Sequence, residues 1–411
     1  MGRPSNHFFV IKHLMVVLIG LVLLTFKING QAPVRFDFEQ CTIKDASGSL
    51  ADGILGGVPD CDCGLINNSF QLNGSDTLFF PKQFSALFSA ENFTFDTYFT
   101  LSNTSGNADV FSVVGGDCSK VDSSMSLKYF ATTDELFFVM GSNVNNLITV
   151  KSKIDQNICW HRFTLVKSKT EYFIYIDNVL KRRFSAREII PLSVIHGFRF
   201  SGNPCRNPDE VGLIGKIDHV SFKFQALSAL ELLQSYLYPD QIVNRDTTIF
   251  AGNDVVLKIG NSCSQNVQWN PNADLVVQDL RTAVATPSET ITYTTLIQDG
   301  LCNVRDSVTI FIADPNEIDC NKLLLPKAFT PNNDGLNDTY GISNTFIIED
   351  LEFFEIYDRT GALIYKTDNI NETWDASFNG QPVNAGMFLY KVKYTCGNEK
   401  RFSTGSFTLL R

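Results

Sequence analysis

Phe93-Thr94-Phe95-Asp96-Thr97-Tyr98-Phe99, and then Phe163-Thr164-Leu165-Val166 running through a polar turn to Tyr172-Phe173-Ile174-Tyr175-Ile176, decide the fold of this chain. Bulky residues alternate with smaller or polar ones at a period of two, the spacing of a strand that lays one face on a core. Asp177-Asn178 predicts a tight turn into Val179-Leu180. Outward from these runs, residues 33–239 repeat short alternating segments between turn signals with almost no helical periodicity, which predicts an antiparallel sandwich. One helix is expected at its end. Ser228 and Glu231 form a capping box, and Leu230, Leu233 and Leu237 follow at helical spacing, placed to close the sandwich.

The chain has 411 residues, enough for two to three domains at roughly 150 residues each. Its 44% hydrophobic and 19% charged content is too apolar and too weakly charged for a disordered protein. Residues 1–30 carry Arg3, Lys12 and Lys27 and no acid, so the rest holds 31 basic against 44 acidic residues, a net charge of −13. Such a surface repels phosphate backbones, and nucleic acid is excluded as an expected partner.

Arg3, Lys12 and His13 precede an unbroken apolar run from Leu14 to Leu24, with the small or polar stretch Ile28-Asn29-Gly30-Gln31-Ala32 after it. This is the order of a signal peptide over residues 1–30, its apolar core shorter than the ~20 residues that span a bilayer. The mature chain is expected to be exported, with no transmembrane anchor after cleavage.

Ten cysteines follow the signal, and domain boundaries near residues 240 and 315 divide them six, two and two. Even counts per unit predict disulfides within units. Cys263 is thus expected to pair with Cys302, Cys320 with Cys396, and Cys41, Cys61, Cys63, Cys118, Cys159 and Cys205 among themselves.

Family resemblances refine this division. Phe36-Asp37-Phe38, Phe70-Gln71-Leu72-Asn73-Gly74-Ser75, Trp160-His161-Arg162-Phe163 with Tyr175-Ile176-Asp177-Asn178, and Gly215-Lys216-Ile217-Asp218-His219-Val220 followed by Ala226-Leu227-Ser228 resemble the laminin-G-like, concanavalin-A-like jelly roll over residues 33–239. His219 stands where such domains often carry an acid. Residues 241–314, with Thr248-Ile249, Val255-Val256-Leu257, Gln268-Trp269-Asn270-Pro271 and Ile291-Thr292-Tyr293-Thr294, resemble the immunoglobulin-like, polycystic-kidney-disease-related spacers of bacterial surface proteins. Trp269, between Cys263 and Cys302, is read as packing near a bridge.

The third unit, residues 320–411, carries Leu325-Pro326-Lys327-Ala328-Phe329-Thr330-Pro331-Asn332-Asn333-Asp334-Gly335-Leu336-Asn337-Asp338, Phe353-Phe354-Glu355-Ile356-Tyr357-Asp358-Arg359-Thr360-Gly361, Trp374-Asp375, Asn379-Gly380, Ala385-Gly386-Met387-Phe388-Leu389-Tyr390 and a last strand to Arg411. It resembles the gliding-motility-associated C-terminal domain, the type B sorting domain of the type IX secretion system in Bacteroidetes. Asn333, Thr360, Ala376 and Asn384 depart from that pattern. The resemblance implies a small β-sandwich recognised by the secretion machinery, without catalytic residues. The expected fold class is therefore all-β: a jelly-roll sandwich, an Ig-like sandwich and a small C-terminal β-sandwich.

Chemistry sorts the candidate sites. Asn332, Asp334, Asn337 and Asp338 offer oxygen donors around Gly335, the kind Ca²⁺ uses. Thr330 stands in place of an acidic first ligand and no bidentate Glu follows, so an Asx-rich turn is the favoured reading, with Ca²⁺ the one cofactor considered. A glycosidase needs two carboxylates about 5–9 Å apart, but Asp134-Glu135 and Asp209-Glu210 are adjacent and point to opposite faces of a strand. No Gly-x-Ser-x-Gly motif supports a triad with His161. Lys181-Arg182-Arg183 reads as a solvated edge. Rim segments Ser102–Asp109, Gly141–Asn146 and Ser201–Glu210 have the Asn, Asp and Gly content of a sugar site, with Asn143, Asn145 and Asn146 as the candidate ligand-binding residues. The expectation is a non-enzymatic, extracellular or surface-located adhesin-like protein that binds a polysaccharide or glycoprotein. The alternatives are a polysaccharide hydrolase on the same sandwich and a purely structural surface protein.

Overall fold

The computed structural model describes residues 32–115, 118, 123–143, 145–155, 157–192, 195–299, 302–314, 319–332 and 337–410. The expected signal peptide lies outside the described residues. The chain is nearly all-β, as the alternation predicts.

The first sixteen strands are β1 (Val34–Phe36), β2 (Ile54–Gly56), β3 (Asp60–Cys63), β4 (Asn68–Asn73), β5 (Thr77–Phe79), β6 (Asn92–Thr100), β7 (Asn107–Val113), β8 (Ser124–Phe130), β9 (Glu135–Asn143), β10 (Asn146–Lys153), β11 (Trp160–Ser168), β12 (Glu171–Ile176), β13 (Val179–Ser185), β14 (Phe198–Phe200), β15 (Glu210–Gly212) and β16 (Ile214–Lys223). They form two sheets, one ordered β13-β12-β11-β6-β16-β4-β3 with β1 also paired to β16, the other β10-β9-β8-β7-β14-β5-β2 with β15 parallel to β7. Between them lies a phenylalanine-rich core. Phe36 meets Phe80 edge to face at 4.8 Å, and Phe95, Phe111 and Phe198 continue the contact at 5.4–5.9 Å. The Asp177-Asn178 turn forms as read, with φ of 52° and 62° at its two residues.

The two sheets differ on their outer sides. In β8 and β9 buried and partly exposed residues alternate, whereas β6 is buried along its interior and β11 along all but its last residue. Strict alternation marks a sheet with one open face, and continuous burial marks one covered on both. The cover over the first sheet includes α2 (Ala229–Gln234), which follows α1 (Lys82–Leu87) in chain order. Ser228 and Glu231 cap α2 reciprocally, with the Ser228 amide donating to Glu231 Oε2 at 2.7 Å. Its buried residues are Ala229 and Leu232, while Leu230 is exposed, so the helix lies on the outside of the first sheet against Val166 and Tyr175.

Strands β17 (Thr247–Phe250), β18 (Val255–Lys258), β19 (Asn266–Asn270), β20 (Leu275–Asp279), β21 (Thr282–Ala285), β22 (Ile291–Asp299) and β23 (Cys302–Ala313) make sheets ordered β17-β23-β22-β19 and β18-β21-β20. Strands β24 (Ala328–Phe329), β25 (Asp350–Tyr357), β26 (Leu363–Thr367), β27 (Ser377–Phe378), β28 (Gln381–Pro382), β29 (Gly386–Cys396) and β30 (Glu399–Leu409) make a five-stranded sheet ordered β24-β30-β29-β25-β26 and a small β27-β28 ribbon. Asn379-Gly380 turns that ribbon with positive φ at both residues. Phe329, Tyr340, Trp374, Phe388 and Phe407 converge in the core of this last group, with Tyr340 stacked on Phe407 at 3.6 Å.

The disulfides correct the sequence reading. Cys320 is bonded to Cys396, but Cys263 does not pair with Cys302. Cys263 is bonded to Cys63 and Cys302 to Cys159, with Cys41–Cys61 and Cys118–Cys205 completing the set. Even counts are equally compatible with two bridges that cross between groups of sheets, and that is the arrangement here. The reason is contact. Leu65 of the β3–β4 turn and Tyr98 and Trp160 of the first sheet share one apolar cluster with Ile259, Ile297 and Val304, and half-buried Trp269 and Cys302 pack on it. Asn261 Nδ2 donates to the Leu65 carbonyl at 2.6 Å and the Leu237 amide donates to Tyr98 Oη at 3.2 Å.

Candidate functional site

The open face of the second sheet carries a groove of about 430 Å³. Because β8 and β9 place alternate side chains outward, Ser124, Ser126, Lys128 and Phe130 of β8 stand beside Phe137 and Val139 of β9. Phe130 and Phe137 are neighbours at 6.0 Å between ring centroids and form an aromatic wall. The opposite wall is polar: Asn107 opens β7, Asn203, Asn207 and Glu210 come from the chain entering β15, and the Cys118–Cys205 bridge holds that chain against the sheet. Two of the three rim segments singled out in the sequence therefore meet here, because β15 pairs in parallel with β7 at Glu210 and Asn107.

Charge under this wall is arranged in pairs. Lys128 Nζ is bonded to Glu210, and Glu210 also accepts from the Asn207 amide at 3.2 Å and from Asn207 Nδ2 at 3.1 Å. Asp109, opposite Lys128 in the β7–β8 ladder, is wholly buried. It accepts from the Asn203 amide at 2.9 Å and from Ser112 Oγ at 3.3 Å. Burial pushes its carboxyl up to about 7, against the pull of Lys128. Asp109 does not line the groove, whereas Lys128 and Glu210 do.

The other candidates fall elsewhere. Asn143, Asn145 and Asn146 sit at the β9–β10 hairpin, outside the groove lining. Asn143 Oδ1 accepts from the Asn145 amide at 2.9 Å, and Asn146 is buried with Nδ2 donating to Ser142 Oγ at 3.2 Å. These bonds shape the turn. Asp334 lies outside the described residues; around it the Asn332 amide donates to the Thr330 carbonyl at 2.8 Å and the Thr330 amide to the Asn337 carbonyl at 2.9 Å. Among the described residues no cluster of three or more His, Cys, Asp or Glu side chains is arranged to hold a metal. Lys181, Arg182 and Arg183 lie on β13, the edge strand, and Arg183 pairs with Glu171 at 2.8 Å.

His161 and its neighbour Arg162 are buried structural groups. Asp177 accepts from the Arg162 amide at 2.8 Å and lies 3.0 Å from His161 Nδ1. The Arg162 guanidinium donates to Asn178 Oδ1, the Leu232 carbonyl and Ser235 Oγ at 2.9–3.1 Å and lies 3.3 Å from Asp96. It fastens the end of α2 to the first sheet. His219, at φ 49° in the bulge of β16, stands 3.7 Å from Asp37 and 3.8 Å from Asp96. Burial holds its ring below the usual histidine range.

Sequence reasoning missed Lys128, Phe130 and Phe137. Their signal was present in the outward positions of two alternating strands, but period two alone does not tell which sheet stays open.

Residues 323–409 match the CHU_C type IX secretion signal domain. No curated protein matches the chain. Among solved structures, domain 4 of AbnA, a GH43 extracellular arabinanase from Geobacillus stearothermophilus in complex with arabinotriose, is similar at 14% identity and a TM-score of 0.39, over 49% of this chain and 96% of that one. The CBM40 of the Ruminococcus gnavus IT-sialidase, bound to α2,3-sialyllactose, is similar at 11% identity and a TM-score of 0.34, over 40% and 95%. The binding domain of botulinum neurotoxin DC in complex with SialylT is similar at 10% identity and a TM-score of 0.40, over 91% and 92%. The C-terminal match makes this a secreted or cell-surface protein that engages the type IX secretion machinery. Among the described residues no helix is long and apolar enough to cross a membrane.

Proposed function

We propose that this chain is a non-enzymatic glycan-binding protein of the cell surface, adhesin-like in role, whose ligand lies in the groove over β8 and β9. The observation that carries this reading is the pairing, on the open face of the second sheet, of the Phe130–Phe137 wall with the amide- and carboxylate-bearing wall of Asn107, Asn203, Asn207 and Glu210. Aromatic rings supply apolar area for the flat face of a sugar, and orienting amides read its hydroxyls. The non-enzymatic part rests on access. Of the two acids near the floor, Asp109 has the raised pKa of a proton donor but is sealed beneath the wall, so only Glu210 reaches a bound ligand. Lys128 supplies a positive charge beside Glu210 in the groove.

The test is a glycan array and titration calorimetry with the full chain, alongside Phe137→Ala and Asn207→Ala. Binding to a polysaccharide or glycoprotein glycan that both variants weaken at unchanged thermal stability is the expected result. No glycan bound by the folded wild-type chain would leave the structural surface protein as the better reading, and bond cleavage in the ligand would favour the hydrolase.

A further inference from the structure

The five bridges join Cys41 to Cys61, Cys63 to Cys263, Cys118 to Cys205, Cys159 to Cys302 and Cys320 to Cys396. Pairing each cysteine with the next one along the chain reproduces only Cys41–Cys61 and Cys320–Cys396. It puts Cys63–Cys118, Cys159–Cys205 and Cys263–Cys302 where three other bridges belong.

Chain statistics oppose the two long bridges. Cys63 lies 55 residues from Cys118 but 200 from Cys263, and closure of a flexible loop falls as the 3/2 power of its length, so the mispair is favoured about sevenfold in the unfolded chain. For Cys263 the distances are 39 residues to Cys302 and 200 to Cys63, about twelvefold. The two long bridges also interlace, because Cys159 lies inside the Cys63–Cys263 loop and Cys302 outside it. Completing the first sandwich and then the second cannot produce either one. Both need Leu65, Tyr98 and Trp160 already seated against Ile259, Ile297 and Val304, which brings each pair to Cα separations of 5.7 and 5.8 Å.

We propose that this chain is an obligatory substrate of a thiol–disulfide isomerase, acting after the chain has been oxidised and before it reaches the surface. A dithiol oxidase first takes ten electrons and ten protons from the ten thiols, making five disulfides. An isomerase thiolate then attacks Cys63 Sγ of a Cys63–Cys118 bridge, forming a mixed disulfide and releasing Cys118 as thiolate. Cys263, freed in the same way from Cys302, attacks the mixed disulfide at Cys63, forming the native bond and returning the isomerase thiolate. The number of disulfides is conserved, and no net oxidant is consumed in the exchange. The same chemistry moves Cys205 from Cys159 to Cys118 and joins Cys159 to Cys302.

The experiment reduces and unfolds the full chain, dilutes it into oxidised glutathione with or without a purified thiol–disulfide isomerase, and maps bridges in non-reduced peptides over time. Without the isomerase, mispairs that close shorter loops, Cys63–Cys118 and Cys263–Cys302 among them, should predominate over the two long bridges. With it the yield of Cys63–Cys263, Cys118–Cys205 and Cys159–Cys302 should rise at least fivefold, while Cys41–Cys61 and Cys320–Cys396 form equally in both samples as internal standards. A variant with Cys63, Cys159, Cys263 and Cys302 all replaced by Ala retains three bridges that are consecutive among its remaining cysteines, and their yield should not depend on the isomerase. Uncatalysed wild-type chain reaching the native set at the catalysed rate and yield would overturn the proposal. So would equal isomerase dependence of Cys320–Cys396 and the three non-consecutive bridges.

Discussion

Cys159, at the foot of β11, is bonded to Cys302, the first residue of β23, across 143 residues of chain. Trp160 follows directly and is wholly buried in the cluster that both groups of sheets share. The second sandwich is therefore seated on the covered face of the first, and this leaves the β8–β9 face as the exposed one.

Trp160→Ala should lower the stability of both sandwiches together by about 3–5 kcal/mol, the usual cost of truncating a large buried aromatic. Calorimetry of the full chain with its bridges intact should show one transition for residues 33–313 moving down as a unit. A variant that shifts only one of two separate transitions would contradict the shared core.

Arg162→Met should cost about 3–5 kcal/mol, because it strips the counter-charge from buried Asp96 and leaves the end of α2 unfastened. Adding Asp96→Asn to the same chain should restore part of that loss in urea unfolding. Full additivity of the two substitutions would mean the 3.3 Å pair carries no coupling.

Asp109 gives stability a definite slope with pH. Its folded-state pKa of about 7 lies above the ordinary 3.8, so between these values the native state holds a proton that the unfolded chain has lost. Stability contributed by this group is present in full below about 4, declines as pH rises, and is gone above about 7. Asp109→Asn should flatten the Tm against pH profile between 4 and 7 relative to wild type. An unchanged slope would place the titration elsewhere, Asp218 being the other carboxyl that burial raises to about 7.

The strands and the closing helix were legible in the sequence because period-two alternation, Asp177-Asn178 and the Ser228–Glu231 box are local signals that local physics obeys. The helix face was misread at Leu230 and Leu233, since α2 turns Ala229 and Leu232 to the sheet once Arg162 fixes its end. Cysteine pairing failed for a deeper reason. Cys63 and Cys263 are 200 residues apart, and only the docking of two sandwiches, which no local pattern encodes, brings them together. The rim segments holding Asn107, Asn203, Asn207 and Glu210 were legible from composition. Asn143 and Asn145 share that composition and shape the β9–β10 hairpin turn, where the Asn145 amide donates to Asn143 Oδ1.

Asn143→Ala with Asn145→Ala should leave glycan affinity within about twofold of wild type, whereas Phe130→Ala or Phe137→Ala should weaken it tenfold or more, near 1.4 kcal/mol. Titration calorimetry against the glycan selected on the array decides between the two faces. Affinity lost at the asparagines and kept at the phenylalanines would move the site to the β9–β10 hairpin.

Residues 320–411 form their own aromatic core around Trp374, closed by the Cys320–Cys396 bridge, and 323–409 match the secretion signal. Deleting 320–411 should therefore leave the two sandwiches and their four bridges intact, yet hold the protein in the periplasm. Trp374→Ala should act through the same route at one position: the indole packs on Phe329, Phe388 and Phe407 and donates from Nε1 to the Ser377 carbonyl at 2.8 Å. Its loss should cost about 3–5 kcal/mol within the module and reduce surface delivery, while the Tm of residues 33–313 stays put. Surface labelling of intact cells beside periplasmic extracts measures both. Wild-type surface levels of the deleted chain would show that another segment directs export.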